Sequence, residues 1–95
     1  MDVSYGRFIW NHAKEKENIA KHDIDFITAS KVFADRNRKV IEDAKHSLRE
    51  QRYFCIGKID ETVITVRFTV RQENIRIIGA GLWRRGRRIY EKEDH

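Results

Sequence analysis

The 95 residues, 40% apolar and 37% charged, lead us to expect a single domain over residues 1–95 with a small core. A net charge of +5 and a pI near 9.6 favour an acidic partner: nucleic acid, an anionic membrane surface or an acidic protein. The membrane reading is set aside because no apolar run approaches the roughly 20 residues that span a bilayer. No signal-peptide pattern opens the chain, and its one cysteine, Cys55, excludes an internal disulfide, so a cytoplasmic location is expected.

Residues 8–33 read as helical. Asn11 is a good N-cap, and residues 12–22 are rich in Lys, Glu and Ala. Ala13, Ile19 and Ala20 mark a narrow apolar stripe. Asp25 can cap a second, short helix whose Phe26, Ala29, Val32 and Phe33 fall on one face. Residues 39–42 then suggest a short strand, and residues 52–59 a second, with Asp60-Glu61 as its turn. Cys55 sits in an apolar run and reads as a core residue.

Residues 62–71 form the clearest strand. Val63, Thr65, Arg67 and Thr69 share one face, while Ile64, Val66, Phe68 and Val70 share the other, which should be the core face. Gln72-Glu73-Asn74 reads as a three-residue hairpin loop, and residues 75–78 as the next strand, ended by Gly79-Ala80-Gly81. Residues 83–93 read as a closing helix. Two helices, about four antiparallel strands and a helix indicate an α+β two-layer domain.

The chemistry suggested by these residues is that of phosphate binding. Arg84, Arg85, Arg87 and Arg88 form the densest positive cluster, and Arg67, Arg71 and Arg76 precede it on adjacent strands. Arginine grips phosphate at two points, so these residues could cradle an RNA backbone; the competing reading is a solvated helix face. Arg76, between Ile75 and Ile77, is harder to explain by solubility. Tyr53, Phe54, Phe68, Trp83 and Tyr90 could stack bases, but core packing is favoured for Phe54 and Phe68, and Trp83 and Tyr90 are expected to pin the last helix to the sheet.

Among the histidines, His22 lies near the first helix's end, where the dipole favours a cation, His46 lies before the second strand, and His95 is terminal. No metal-ligand spacing, phosphate loop or nucleophile elbow is present, so neither metal nor cofactor is expected. RNA can be cut without metal when a base deprotonates the 2′-hydroxyl, a cation steadies the phosphorane and an acid protonates the leaving oxygen. Glu50 as base, with Arg71 and Arg76 as clamps, is chemically possible here.

An ordered set of residues carries more than this. Phe8-Ile9-Trp10-Asn11 with Lys14, Asn18, Lys21-His22, Phe26, Ala29, Val32-Phe33 and Asp35 opens it. Asp43, His46, Glu50, Arg52 and Ile56-Gly57 continue it. Thr69-Val70-Arg71, Ile75-Arg76-Ile77-Ile78 and Arg87-Arg88-Ile89-Tyr90-Glu91 close it. The set resembles the signature of the BrnT toxin family. The resemblance implies a fold similar to that of the RelE toxins and a ribonuclease that inhibits translation. It also implies a BrnA-like antitoxin partner, which would contact DNA on the pair's behalf. His22, Glu50, Arg71 and Arg76 are then the candidate catalytic residues. Lys21, Arg52, Arg67, Arg84, Arg85, Arg87 and Arg88 are the candidate RNA contacts.

The chain departs from the family pattern at four places. Asn11 stands where many members have Asp, and Asp23 where many have Gly. Gly79 and Gly81 replace the serine and arginine of an Ile-Ile-Ser-Ala-Arg strand end, where a phosphate site would be expected, and Gly86 replaces a glutamate. A non-catalytic module that binds RNA or an antitoxin is therefore the alternative.

Overall fold

The computed structural model describes residues 1–92. In chain order they form β1 (Asp2–Tyr5), β2 (Phe8–Asn11), α1 (His12–His22), α2 (Phe26–Ser30), β3 (Lys39–Glu42), β4 (Arg52–Ile59), β5 (Thr62–Arg71), β6 (Asn74–Gly81) and α3 (Arg84–Glu91). Short 3-10 turns cover Lys31–Ala34 and Ala44–His46. Glu93, expected in the closing helix, and His95 lie outside the described residues.

The α+β class is as expected, but the sheet is six-stranded and mixed, in the order β1-β2-β6-β5-β4-β3. The expectation of about four antiparallel strands is corrected at the N-terminus. Residues 8–11 are a strand, paired with β1 through a tight turn in which Gly6 takes φ +61°, and parallel to β6 through Phe8↔Ile75 and Ile9↔Arg76. That partner is far along the chain, so local pattern does not reveal it. Asn11 ends β2 and caps α1, accepting from the Lys14 amide at 3.1 Å. Asp25 caps α2 in the same way, accepting from Thr28.

One sheet face carries the core. Val66, Phe68, Cys55, Trp10 and Ile77 meet Phe26, Ala29 and Val32 of α2 and the turn after it. Phe33 packs edge-on to Phe68 at 5.0 Å, and Trp10 edge-on to Phe26 at 5.8 Å. The turn comes so close to β4 that a side chain at Gly57 would strike Val32, its Cβ lying 2.8 Å from the valine Cβ and carbonyl oxygen. Val70 shares this face, yet at 52% exposure it lies beyond the core, beside the turn of the β5–β6 hairpin. The hairpin loop itself has two residues, not three, because Arg71 pairs with Asn74 and Gln72 takes φ +58°.

The helix α1 does not use the apolar stripe expected of it. Ala13, Ile19 and Ala20 are exposed, and its one buried residue is Asn18. Asn18 donates to the Ile24 carbonyl at 2.9 Å and accepts from the Ala80 amide at 3.0 Å. The helix thus takes up the edge of β6 where β2 stops, held by polar satisfaction more than by apolar burial. Glu15 adds a second tie, accepting from the Trp10 indole and from the Phe26 amide, each at 2.9 Å.

On the second sheet face α3 covers only one end. Gly86 lies directly against Thr65. The Trp83 ring meets Phe54 with centroids 4.9 Å apart. At the other end of the helix the Tyr90 hydroxyl donates to Asp35 at 2.6 Å, so both aromatics pin it, as expected.

Candidate nucleic-acid interface

Pairing of β4, β5 and β6 decides which side chains share the uncovered part of the second face. Arg52 lies opposite Thr69, and Thr69 opposite Arg76. Arg67 and Arg71 lie two residues either side of Thr69. Four arginines thus surround one threonine. Thr69 is only 1% exposed, at the centre of these four arginines. Its hydroxyl donates to the Gln51 carbonyl at 2.7 Å.

Two of these arginines are engaged by carboxylates. Arg71 donates from Nε and Nη2 to the two oxygens of Glu50, each at 3.1 Å. Arg76 donates from Nη2 to Asp2 at 2.7 Å and from Nη1 at 3.3 Å. The Arg71 guanidinium holds the Glu50 carboxyl below its usual range, and Arg76 does the same to Asp2. Arg71 is in turn raised by Glu50. The Nε atoms of Arg52, Arg67 and Arg76 are buried and have no hydrogen-bond partner among the described residues. Buried donors of this kind are normally paired, so these three atoms are exceptions to the usual pairing.

Beyond Arg67 the face falls into a cleft of about 550 Å³ between α1 and the sheet. Lys14, Glu17, Lys21 and His22 line its helical wall, and Phe54, Arg67, Gly79, Gly81 and Trp83 its sheet wall. The glycines reach this side because β6 carries a bulge: Phe68 pairs with Ile77 and Arg67 with Gly79, leaving Ile78 unpaired. A Cβ at Gly79 would lie 3.6 Å from the Asn18 side-chain oxygen, and one at Gly81 3.6 Å from His22 Nδ1. Glycine at these two positions therefore leaves the cleft wider than a side chain would.

The expected site residues fall into three places. Arg52, Arg71 and Arg76, with Glu50, form the arginine layer; Arg67 joins it to the cleft, which holds Lys21 and His22. Arg84, Arg85, Arg87 and Arg88 are exposed on α3, where the Arg85 guanidinium stacks over Trp83 at 5.6 Å. Lys14 and Glu17 were not anticipated, although their spacing with Lys21 puts all three on one helical face. Asp2 was missed because β1 was missed. Cys55 is buried in the core, and burial pushes its thiol up to about 12.

Among the described residues, no three His, Cys, Asp or Glu side chains converge in a metal-binding arrangement, and no helix is long and apolar enough to cross a membrane. No curated protein matches the chain. Residues 10–86 match the model of a family described as the ribonuclease toxin, BrnT, of type II toxin-antitoxin system. With that match covering most of its length, the chain belongs to the BrnT family of ribonuclease toxins.

Proposed function

We propose that this chain cleaves RNA on the arginine face by attack of a 2′-hydroxyl on its own phosphate, without a metal ion. The observation that carries this reading is the arginine layer: Arg52, Arg67, Arg71 and Arg76 gathered around Thr69 on one sheet face by the register of three strands. Fixed guanidiniums can neutralise the charge that grows on a phosphorane, and the attacking oxygen is already part of the substrate. Arg71 and Arg76 hold the scissile phosphate in this scheme, with Arg52 beside them. Lys21, His22 and Arg67 carry the strand onward through the cleft, where Phe54 and Trp83 offer ring surfaces. The exposed arginines of α3 add long-range attraction.

Glu50, proposed from sequence as the base, is the weaker candidate in this geometry. Its two oxygens are occupied by Arg71, which also reduces its affinity for a proton.

A type II toxin has an antitoxin, and we assign that role to a BrnA-like protein that covers the basic face with acidic side chains and alone contacts DNA. Inhibition of translation would follow from loss of messenger RNA. A second reading, binding without cleavage, is favoured by one observation: Gly79 and Gly81 leave the cleft without the hydroxyl and guanidinium of the family pattern.

The test is incubation of the purified chain and an Arg71→Ala/Arg76→Ala variant with a defined RNA in the presence of a chelator. Cleavage by the wild type alone, leaving 2′,3′-cyclic phosphate and 5′-hydroxyl ends, is the expected result. Binding without cleavage would establish the second reading.

A further inference from the structure

Transesterification needs a group that can take the 2′-hydroxyl proton, and the carboxylates on the arginine face are poor ones. Asp2 and Glu50 are each bound to a guanidinium that holds the carboxyl low. We propose that the base is His46, set at the margin of this face and oriented by Asp43. The inference rests on the function proposed above and adds a residue that no part of it uses.

The geometry is that of an anchored imidazole. Asp43 is 5% exposed, and its carboxylate meets His46 Nδ1 at 2.9 and 3.2 Å. The other side of the ring is open, for the His46 side chain is 48% exposed and Nε2 has no partner among the described residues. An ionised carboxylate only accepts, so the neutral ring donates from Nδ1 and presents the Nε2 lone pair outward. A base held in one tautomer by a buried carboxylate is the arrangement that proton abstraction requires.

The loop that carries the pair is stitched to the arginine layer. The Asp43 amide donates to the Arg52 carbonyl at 2.8 Å. The Arg52 amide donates to Ser47 Oγ at 2.9 Å, and that hydroxyl donates to the Asp43 carbonyl at 2.7 Å. Asp43 continues the β3–β4 ladder opposite Arg52, after Glu42↔Tyr53. The loop that holds the Asp43–His46 pair is therefore hydrogen-bonded to the backbone of Arg52, a residue one strand from Thr69 and two from Arg76.

In the step proposed, His46 Nε2 takes the 2′-hydroxyl proton as O2′ bonds to phosphorus. The bond from phosphorus to the 5′-oxygen breaks, and that oxygen takes a proton from water. The products are a 2′,3′-cyclic phosphate and a 5′-hydroxyl, and the imidazolium returns its proton to solvent.

The experiment compares wild type with His46→Asn, whose amide can still donate to Asp43, and with His46→Ala. Single-turnover cleavage and binding of a 2′-O-methyl oligonucleotide are both measured. Cleavage by His46→Asn about 100-fold or more below wild type, with binding within about twofold, is expected. Added imidazole should restore His46→Ala at least tenfold, which a loop-stapling role would not produce. In the unmodified protein, the bound 2′-O-methyl oligonucleotide should shield His46 from diethylpyrocarbonate. Cleavage by His46→Asn within about threefold of wild type would overturn the proposal, as would no rescue or an unshielded His46. If the wild type cuts and Arg71→Ala/Arg76→Ala does not, such a result removes His46 alone. If the wild type does not cut, the ribonuclease reading falls first, and His46 with it.

Discussion

Gly86 of α3 and Thr65 of β5 are in such close contact that a methyl group at position 86 would overlap the threonine hydroxyl oxygen. The helix can lie on the sheet at this height only without a side chain at the crossing. Gly86→Ala should cost about 1–3 kcal/mol through overpacking, despite alanine's better helix propensity. Urea unfolding checks this; an unchanged midpoint would mean that α3 shifts freely on the sheet.

Asn18 is the side chain that joins α1 to β6. Asn18→Ala leaves the Ile24 carbonyl and the Ala80 amide without their partner. The expected cost is about 2–4 kcal/mol, with faster hydrogen exchange at the Ala80 amide. A loss confined to a few tenths of a kcal/mol would mean that water replaces the amide.

The chain's glycines divide by what surrounds them. Gly57→Ala collides with Val32 backbone and side chain and should destabilise by about 2–3 kcal/mol. At Gly81 a Cβ meets only ordinary contacts with His22, and Gly81→Arg would extend from there at the border of the cleft. It should leave stability within about 0.5 kcal/mol and tighten binding of single-stranded RNA, with the salt slope steeper by about 0.7 if one phosphate contact is gained. Binding titrations at several salt concentrations test this.

Asp23 ends α1 with φ +57°, in the left-handed region, and its amide donates to the Ile19 carbonyl at 2.8 Å. The position suits glycine. Asp23→Gly should raise stability by about 0.5–1 kcal/mol, measured by thermal unfolding. A fall in stability would show that the aspartate's own interactions outweigh its backbone strain.

Asp35 ties three segments together. Burial pushes its carboxyl up, but hydrogen bonds from Tyr90, the Asn37 amide and the Lys58 amide outweigh this and leave it lowered. Asp25 and Glu50 are lowered too, mainly by Thr28 and Arg71. A depressed folded value gives stability that is complete above the unfolded value, near 4, and lost as pH falls through the folded one. The protein should therefore lose thermal stability below about pH 4. Asp35→Asn should be less stable at pH 7 and show a shallower acid decline.

The sequence made some of this plain. Both N-caps, the apolar face of Phe26, Ala29, Val32 and Phe33, and the two faces of residues 62–71 follow from local pattern and hold in three dimensions. The first two strands did not, because four residues of mixed polarity carry no periodicity and their partner, Ile75-Arg76, is remote. Arginines 52, 67, 71 and 76 could be named from sequence as phosphate binders. Their convergence over Thr69 could not, since it depends on the register of three strands. Asp43 and His46 could be named from sequence as members of the ordered set, but not as a pair; the hydrogen bond between them and the burial of the carboxylate appear only in the fold.

The bulge at Ile78 also governs how β6 can vary. Counting by twos from Ile75 would assign Gly79 and Gly81 to the interior and Ala80 to the opposite side. The unpaired residue inverts that assignment, so Ala80 is interior at 6% exposure while its neighbours border the cleft. A substitution at 79 or 81 therefore changes the cleft, whereas one at 80 must fit the core as a small apolar residue. One supernumerary residue thus separates, within three consecutive positions, a residue that packs in the core from two that border the cleft.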